Sequence, residues 1–553
     1  MTKRARFSQR RGRRSSTPKG NPGKEPIEIQ FGLDDSEAPE QVTKRLAQKL
    51  GVRESDLPKY RLLKRSLDAR RGKVRFRCLY SLDEEVVVDD EDLQLREPSF
   101  SERDRGSIAI VGDGPAGLFC AWELARRGIR STVIERGQPV QPRRKDLKLL
   151  NARGGVNAES NYCFGEGGAG TYSDGKLYTR SHKRGPVFDV LRALARHGAP
   201  PAILTDARPH IGSNLLPKII DSMRRELEEF GTEFRFGTKV TGLLTEGQGQ
   251  ERRLAGLSLC DVETEESREE AFQAAVLATG HSARDVYQFC HRAGVALEAK
   301  PFALGVRIEH PQELINQIQF GRFAEHPKLG AASYKVVRQV EERGVFSFCM
   351  CPGGWIVPAM TDQDHLVVNG MSLSKRNSQW ANSGFVVGVE LQDLDAAIPG
   401  GDALRGIELQ ARAERAACLA GGGENRAPAT RVSDFLQGKV SSSLPETSYL
   451  PGLTSASLAE VVDSTGLGIS RRLRLALSEL GQRMKGFDSE EAILVGVESR
   501  TSSPVRMIRD PESLQSPGLA GLYPAGEGAG FAGGIVSAAV DGMRIAERLV
   551  DNI

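Results

Sequence analysis

The sequence predicts an α/β protein in which a discontinuous α/β domain carries an inserted mixed α+β domain and follows a small N-terminal α+β domain. Two observations indicate this class. Short apolar runs alternate with segments of helical periodicity near residue 110 and again near the end of the chain, and the 60 glycines cluster where such runs end. A chain of 553 residues is also too long for one hydrophobic core, so two or three domains are expected.

The first segment of the chain is strongly basic. Residues 1–25 hold nine lysines or arginines and one acid, which gives +8, whereas the rest of the chain carries −4. The segment has no hydrophobic periodicity, and its composition cannot offset the entropy lost on ordering. We therefore predict a disordered basic tail, either a solvated arm or transit-type leader, or an electrostatic handle for nucleic acid or anionic lipid.

A small α+β domain is predicted next, over residues 26–98, with a charged linker up to Gly106. The signals are two-residue alternation in the strands and an amphipathic repeat that stops at a glycine. The expected elements are the strand Ile27–Phe31, the helix Ala38–Leu50, and the strands Tyr60–Ser66 and Lys73–Ser81.

A βαβ unit opens the second domain within about 30 residues. A short apolar strand ends in a glycine-rich turn, a helix follows, and a second strand ends in an acid. These segments are Ser107–Val111, Gly112–Gly117, Leu118–Arg127 and Ser131–Glu135. In this context the G-x-G-x-x-G spacing is typical of a Rossmann-like dinucleotide-binding domain.

Each glycine of the turn has a separate task in such a site. Gly112 allows the tight turn, Gly114 lets the backbone approach a pyrophosphate, and Gly117 lets the helix pack close to the strand. The diphosphate then meets the free amides and positive dipole at the helix N-terminus. Glu135, 23 residues after Gly112, is placed to accept hydrogen bonds from ribose hydroxyls.

The end of the chain indicates which dinucleotide binds. Leu522–Val536 reads as a strand, a Gly-Glu step and a glycine loop that opens a second helix, and Ala275–His281 is a strand that finishes in Ala-Thr-Gly. FAD enzymes use such a return beside the ribityl chain and the flavin, whereas NAD-only dehydrogenases do not need it. We therefore predict FAD, held by Gly112, Gly114, Pro115, Ala116, Gly117, Glu135, Arg136, Thr279, Gly280, Gly526, Glu527, Gly533, Gly534 and Ile535.

This reading assigns residues 107–300 and 490–553 to the FAD-binding domain and 301–489 to an inserted substrate domain. The insert has a more irregular pattern, with strands expected around Phe346–Val357 and Leu366–Met371. There is no second strand–GxGxxG–helix unit, so a dedicated NADPH domain is not expected. NAD(P)H bound transiently is one candidate electron donor, and a substrate that reduces the flavin directly is the other.

Several motifs give the chain a family resemblance. They include Lys64–Arg70, Asn161–Leu177, Arg208–Gly212, Phe348–Gly354 and Leu522–Ala539. From about residue 27 to the end, the chain resembles the uncharacterised FAD-dependent dehydrogenase family of bacteria and plastids, within the glutathione-reductase-like flavoprotein class. The resemblance implies a bound FAD and an oxidoreductase fold, and it implies no substrate.

The same resemblance places the glycine-rich loop Phe164–Gly175 near the isoalloxazine ring. Asp174 and Lys176 are the polar groups offered there. As candidate catalytic residues, Lys176 would stabilise the charge of the reduced flavin and Asp174 would orient it. The alternative is a flexible surface loop with solvated charges.

Cysteine and histidine positions leave further alternatives open. The eight cysteines show no C-x-x-C pair of a zinc site, but Cys349 and Cys351 would share one face of a strand. A disulfide across so short a loop would be strained and reducible, although buried unreactive cysteines are the more common outcome. His281 is the histidine expected near the cofactor, or else a hydrogen-bonded structural imidazole. No metal site is predicted.

Together these patterns predict an FAD-dependent oxidoreductase that passes hydride or electrons between a small-molecule substrate and flavin N5. A nucleic-acid-associated flavoprotein that modifies RNA through its basic N-terminal region is the alternative from another class, and a non-catalytic flavin redox sensor is a third. No run approaches the roughly 18 apolar residues of a membrane span. The few cysteines favour a reducing compartment, and we expect the protein in the cytoplasm.

Overall fold

The computed structural model describes residues 25–82, 93–96, 108–152, 155–178 and 185–552. The predicted basic tail, apart from Glu25, and nearly all of the predicted linker lie outside these residues. The α/β class predicted from the sequence is confirmed. The chain divides into two units, one made of residues 25–68 and 75–82 and the other of the remaining described residues.

The first unit is a three-stranded antiparallel sheet with one helix. Proline at the first turn and a left-handed Gly51 at the end set the limits of the helix, as the sequence pattern predicts. Alternate residues of the central strand are buried, which is typical of a sheet with one covered face. The elements are β1 (Ile27–Gly32), α1 (Pro39–Leu50), β2 (Arg61–Asp68) and β3 (Arg75–Ser81), and the sheet order is β1-β3-β2.

The second unit alternates helices and strands through most of its length. In chain order its first elements are β4 (Ile108–Val111), α2 (Pro115–Arg126), β5 (Thr132–Ile134), α3 (Val140–Asn151), α4 (Val187–Arg196), α5 (Leu216–Glu229), β6 (Glu233–Arg235), β7 (Thr238–Glu246), β8 (Arg253–Asp261), β9 (Ser267–Ala271), β10 (Ala274–Leu277), α6 (Arg284–Arg292) and β11 (Leu297–Ala299). They are followed by β12 (Phe302–Pro311), α7 (Gln312–Phe320), β13 (Val337–Val340), β14 (Arg343–Cys351), β15 (Gly354–Pro358), β16 (Val368–Ser372), β17 (Trp380–Val389), α8 (Leu391–Ala397), α9 (Arg405–Gly421), β18 (Ala427–Arg431), α10 (Val432–Gln437), β19 (Leu453–Ser455), α11 (Leu458–Asp463), α12 (Ile469–Arg483), β20 (Ile493–Glu498), β21 (Val505–Met507), β22 (Leu522–Pro524) and α13 (Ile535–Asn552).

A five-stranded parallel sheet joins parts of the chain that are far apart in sequence. Its order is β22-β10-β4-β5-β6, so β10 lies between the strand before the glycine turn and the last strand of the chain. Every residue of β4, β10 and β22 is buried, as expected for a parallel sheet covered on both faces. The helices α2 and α13 share one hydrophobic core with this sheet, and the carboxyl ends of its parallel strands lie on the same side.

The region predicted to be irregular is in fact built on a seven-stranded sheet. Its order is β13-β14-β17-β12-β20-β18-β19, and all pairs are antiparallel except β18 with β19. The strands expected around Phe346–Val357 and Leu366–Met371 are found as β14, β15 and β16. The strands β12 and β17 were missed because they are buried on both faces and show no two-residue alternation. Buried polar residues such as Arg307 and Glu309 also interrupt the apolar run.

Smaller sheets complete the second unit. The strands β7, β8 and β9 form an antiparallel sheet, and β11 pairs with β21 and β15 with β16. Among the described residues, no helix combines the length and the apolar character that crossing a bilayer requires.

Candidate functional site

A cavity of about 270 Å³ opens at the carboxyl ends of the parallel strands. Separated parts of the chain line it, among them the glycine turn after β4, the end of β5, the glycine-rich loop, β7, the segment after β10, and the start of α13. Of the residues predicted to hold the cofactor, those that line the cavity are Gly112, Gly114, Pro115, Ala116, Glu135, Arg136, Thr279, Gly280, Glu527, Gly534 and Ile535.

Three other predicted residues lie behind the lining and shape it. A Cβ atom on Gly117 would overlap the carbonyl oxygen of Gly112, so this glycine allows close contact between α2 and the turn. Gly526 has a left-handed backbone (φ +66°), and its N–H donates to Asp541 of α13 at 2.8 Å. Gly533 lies beside Glu527, whose Oε2 would be 3.1 Å from an added Cβ.

The glycine turn itself needs a residue without a side chain. Gly112 has φ +98°, a region that other residues rarely adopt, and an added Cβ would lie 2.7 Å from the carbonyl oxygen of Ala278. Its N–H donates to the carbonyl oxygen of Ile134 at 2.8 Å. The turn is therefore clamped between the ends of β5 and β10.

Two helix N-termini face the same open space. A Cβ on Gly114, which caps α2, would have only Gly168 Cα within reach, at 4.0 Å, and one on Gly534 before α13 would have only Ser537 Oγ, at 3.7 Å. The first amides of a helix have no partner within it, and the helix dipole adds positive charge. Both ends are thus suited to an anionic or electron-rich group in the cavity.

Glu135 is buried behind the turn, with 5% of its surface exposed. Its carboxylate accepts hydrogen bonds from the backbone N–H groups of Asp113, Gly137 and Gly165, each at 2.9 Å. An ionised carboxylate offers about four acceptor sites, so one site remains for a donor in the cavity. The carboxylate therefore organises the loop as well as facing the ligand space.

The buried Arg143 of α3 holds the glycine-rich loop over the cavity. Its guanidinium donates to the carbonyl oxygens of Asn161, Glu166 and Gly168 at 2.8–3.0 Å. Burial lowers the pKa of Arg143, and Tyr172 and nearby carboxylates oppose this. Because three backbone carbonyls converge on one side chain, the loop is fixed although it is rich in glycine.

One end of the cavity is closed by charge and ring contacts. Arg136 pairs with Asp285 and lies over the ring of Phe164, with 4.7 Å between its guanidinium carbon and the ring centroid. Sequence reasoning missed the other lining residues at this end, which come from β7 and from the start of α6. They are Thr238, Val240, Ala283 and Val286. No sequence signal marked them, since a strand of an antiparallel hairpin carries no phosphate or ribose motif.

His281 and Glu527 line another part of the cavity. His281 Nδ1 is 3.6 Å from Glu527 Oε1, and this nitrogen has no hydrogen-bond partner among the described residues. Glu527 Oε1 also accepts from the N–H of Ser503 at 2.9 Å. The structure thus places the one histidine predicted near the cofactor at the cavity wall, with one ring nitrogen unpaired.

The predicted catalytic pair lies outside the cavity lining. Asp174 is buried and pairs with Lys176 at 3.3 Å, with Arg376 and with Ser372. Burial acts against the charge of Asp174, but Lys176 and Arg376 outweigh it and hold the pKa of this carboxyl at about 2. Ser173, Gly170 and neighbouring loop residues line the cavity, whereas Lys176 faces β14 of the seven-stranded sheet and Asp174 faces Ser372 of β16 and Arg376.

These contacts fit an elongated dinucleotide such as FAD. Gly114, Gly280 and Gly534 leave space that a side chain would fill, two helix N-termini meet that space, and Glu135 and His281 each keep an unused polar site toward it. The glycines and the acid stand in the places where the sequence pattern expects pyrophosphate and ribose.

Three parts of the chain match known domain families. Residues 105–147 match an FAD binding domain, residues 301–501 match "FAD-dependent protein, C-terminal domain-like", and residues 24–82 match a domain of unknown function. The first match covers the glycine turn and Glu135, and the second covers all seven strands of the seven-stranded sheet.

Individual proteins resemble the chain over very different lengths. An uncharacterised protein of Clostridium beijerinckii is 39% identical over 542 residues, which are 95% of this chain and 98% of that protein. The tRNA 5-methylaminomethyl-2-thiouridine biosynthesis bifunctional protein MnmC of Acinetobacter baylyi is 45% identical over 47 residues, 8% of each chain. Among solved structures, a flavoprotein/dehydrogenase from Cytophaga hutchinsonii is 10% identical, with a TM-score of 0.33. The match covers 81% of this chain and 79% of the Cytophaga hutchinsonii chain.

Proposed function

The chain belongs to the same family as the uncharacterised Clostridium beijerinckii protein and is an FAD-dependent oxidoreductase. From this premise we propose that it transfers hydride or electrons between a small-molecule substrate and N5 of the flavin. The observation that carries the proposal is the meeting of two helix N-termini, those of α2 and α13, at one cavity lined by glycine. When bound, FAD supplies the two-electron chemistry of the reaction.

We propose a division of the cavity among three groups of residues. The amides at the start of α2, next to Gly114, hold the pyrophosphate, and Glu135 accepts from the adenosine ribose. Gly534 and Ile535 present the start of α13 to the ribityl and flavin side, where its dipole favours negative charge. Arg136 and Phe164 close the adenosine end of the site.

The proposal leaves the electron donor open between two classes. NAD(P)H bound transiently and a substrate that gives its electrons directly would both reduce the flavin. Their effects on the flavin absorbance separate them. NAD(P)H and candidate substrates are each mixed with the oxidised protein under anaerobic conditions, and the class that bleaches the flavin at a rate that saturates with concentration is the donor.

The direct test begins with the visible spectrum of the purified full chain. We expect a yellow protein whose chromophore is released on denaturation and identified as FAD by mass. The cavity variant Gly534→Val should be colourless, whereas Gly330→Val should keep the colour, because Gly330 does not line the cavity and a side chain there would meet open space. A colourless wild-type protein that takes up no added FAD would overturn the proposal.

A nucleic-acid-associated flavoprotein remains the second candidate. The basic segment that motivates it carries +8 and lies almost entirely outside the described residues. Deletion of residues 1–100 separates the candidates. Turnover with small electron donors should survive the deletion if the first is correct, and RNA retention should disappear if the second is correct. A redox sensor would show flavin reduction by donors without turnover of a substrate.

A further inference from the structure

A cluster of two thiols and two cations lies between the glycine-rich loop and the seven-stranded sheet. Lys176 Nζ is 3.9 Å from Sγ of Cys349 and 3.9 Å from Sγ of Cys351. Arg307 Nη2 is 2.8 Å from the carbonyl oxygen of Cys349 and 3.9 Å from Sγ of Cys351. The residues thus place two thiols beside one ammonium and one guanidinium.

The backbone at these cysteines departs from a regular strand. Cys349 has φ +43°, which is uncommon for a residue other than glycine, and the pairing of β14 with β17 shifts register between Phe348 and Cys351. The two thiols lie on one side, as expected, but the strand between them is bulged and not regular. The bulge turns both sulfurs toward Lys176, and bulges of this kind commonly re-aim side chains beside functional sites.

The neighbouring residues make room for this arrangement. Gly354 lies next to the pair, and a Cβ there would be 3.1 Å from Cβ of Cys351. Arg307 is fully buried in the central strand β12 and is fixed by Glu498 and by Asn382, the latter at 2.8 Å. Its position is therefore set by the core of the sheet and does not depend on the thiols.

Accessibility differs between the two cysteines. Cys351 is buried, whereas Cys349 is partly exposed, and 37% of the Lys176 side chain is exposed. A reagent would therefore reach Cys349 first. Cations beside a thiol favour its thiolate and hence its reactivity.

The charges around the two thiols also favour reaction at Cys349 before Cys351. A hydrogen bond from Cys351, together with Lys176 and Arg307, lowers the pKa of the Cys349 thiol well below its usual range, against the effect of burial. The hydrogen bond to Cys349 and burial raise the pKa of Cys351. One thiolate and one thiol, side by side, are the forms in which a dithiol reacts.

A structural metal site is a poor explanation of the pair. Among the described residues, no group of three His, Cys, Asp or Glu side chains is placed to hold a metal ion. Lys176 and Arg307 also put two positive charges at the sulfurs, which disfavours a bound cation.

We propose that Cys349 and Cys351 are a redox-active dithiol whose substrate class is a small-molecule disulfide. The Cys349 thiolate attacks one sulfur of the disulfide, forms a mixed disulfide and releases one thiolate. Cys351 then attacks Sγ of Cys349, its proton passes to the second departing sulfur, and that group leaves as a thiol. The pair is oxidised to a disulfide while the external disulfide is reduced to one thiolate and one thiol.

This inference rests on the proposed function only for the source of electrons. Return of the pair to the dithiol needs a two-electron donor, which is the chemistry that an FAD-dependent oxidoreductase supplies. Lys176 is a positioning residue in this scheme, because it acts through the thiols and does not bond to the disulfide.

Oxidised glutathione is the probe for the test, applied to the full chain purified with its FAD. One tryptic peptide, residues 344–375, carries both cysteines and no other. After equilibration at rising ratios of oxidised to reduced glutathione, acid quenching and alkylation, we expect both cysteines to become protected together as an internal disulfide. Cys418 is partly exposed elsewhere in the protein, and its protection from alkylation should not change in step with that of the pair.

Variants separate the roles of the residues. Cys351→Ser should trap a glutathione adduct on Cys349, whereas Cys349→Ser should form an adduct on Cys351 about tenfold or more slowly. Lys176→Gln should slow alkylation of Cys349 at neutral pH about tenfold, and Lys176→Arg should restore it, which a merely structural lysine would not show. Cys418→Ser should change none of these rates.

Two results would overturn the inference: full alkylation of both cysteines at every glutathione ratio, or equal adduct rates in the two serine variants. Flavin absorbance is read on the same samples. A wild-type protein without FAD would contradict the proposed function and leave the thiol result unaffected. An FAD-loaded protein with unreactive thiols would contradict the dithiol inference and leave the proposed function unaffected.

Discussion

The carboxylate of Glu135 accepts a hydrogen bond from the backbone N–H of Asp113 at 2.9 Å, across 22 residues of chain. The acid at the end of β5 is thereby tied to the second residue of the glycine turn. Its other oxygen accepts from Gly137 and Gly165, so one side chain joins the turn, the strand end and the glycine-rich loop. If Glu135 holds the ribose as proposed, ribose binding and the fold of the loop depend on the same carboxylate.

Replacement of Glu135 by alanine should weaken FAD binding. Loss of a charge-assisted hydrogen bond costs about 1.5–3 kcal/mol, which corresponds to roughly tenfold to a hundredfold weaker affinity. Titration of the apo protein with FAD, followed by quenching of flavin fluorescence, measures the effect. Glu246→Ala is the control, since this carboxylate pairs with Arg253 at the surface. Unchanged affinity in a folded Glu135→Ala protein would contradict the assignment.

Gly114→Val and Gly534→Val should each yield apo protein. Both glycines border open cavity space at a helix N-terminus, so a valine side chain would occupy the place of the ligand. Thermal unfolding should also lose its dependence on added FAD, because a ligand that binds only the folded state adds stability by mass action. If Gly534→Val kept full FAD while Gly114→Val lost it, the start of α13 would have no part in the site.

The FAD-binding half was predictable because its signals are local. A turn that demands φ +98° requires glycine at 112, and β4, β10 and β22 are continuous apolar runs because they are buried on both faces. These constraints act within a few residues, so they are written directly into the sequence.

The thiol cluster and the seven-stranded sheet were less accessible to sequence reasoning. The family resemblance places Lys176 near the flavin, yet besides Asp174 its partners include the two cysteines of β14, about 170 residues later in the chain. The bulge at Cys349 arises from pairing with β17, which no local pattern encodes. Contacts of long sequence separation therefore account for most of what the sequence did not reveal.

Gly542→Ala should destabilise the FAD-binding half although it adds one methyl group. A Cβ on Gly542 would overlap the carbonyl oxygen of Ala116, where α13 crosses α2. Overpacking of this kind costs about 1–3 kcal/mol and would push apart the two helices whose N-termini face the cavity. A lower urea midpoint with weaker FAD retention is expected, whereas Gly330→Ala should leave both unchanged. Wild-type stability in Gly542→Ala would show that the helices adjust freely.

The stability of the protein should fall between pH 7 and pH 5 because of His310. The imidazole is fully buried, 4.4 Å from the ring of Phe487, and burial lowers its pKa from 6.5 to about 4. In this window the unfolded chain binds a proton at His310 and the folded chain does not, so the unfolded state gains as pH falls. This one group should cost about 2 kcal/mol of unfolding free energy between pH 7 and pH 5.

Urea unfolding of wild type and His310→Gln at both pH values measures the difference. The variant should be less stable at pH 7, since it loses ring packing, but its pH dependence should be shallower by that amount. His291→Gln is the control, because 43% of that side chain is exposed. Equal pH slopes in wild type and His310→Gln would show that the buried imidazole takes up its proton without unfolding.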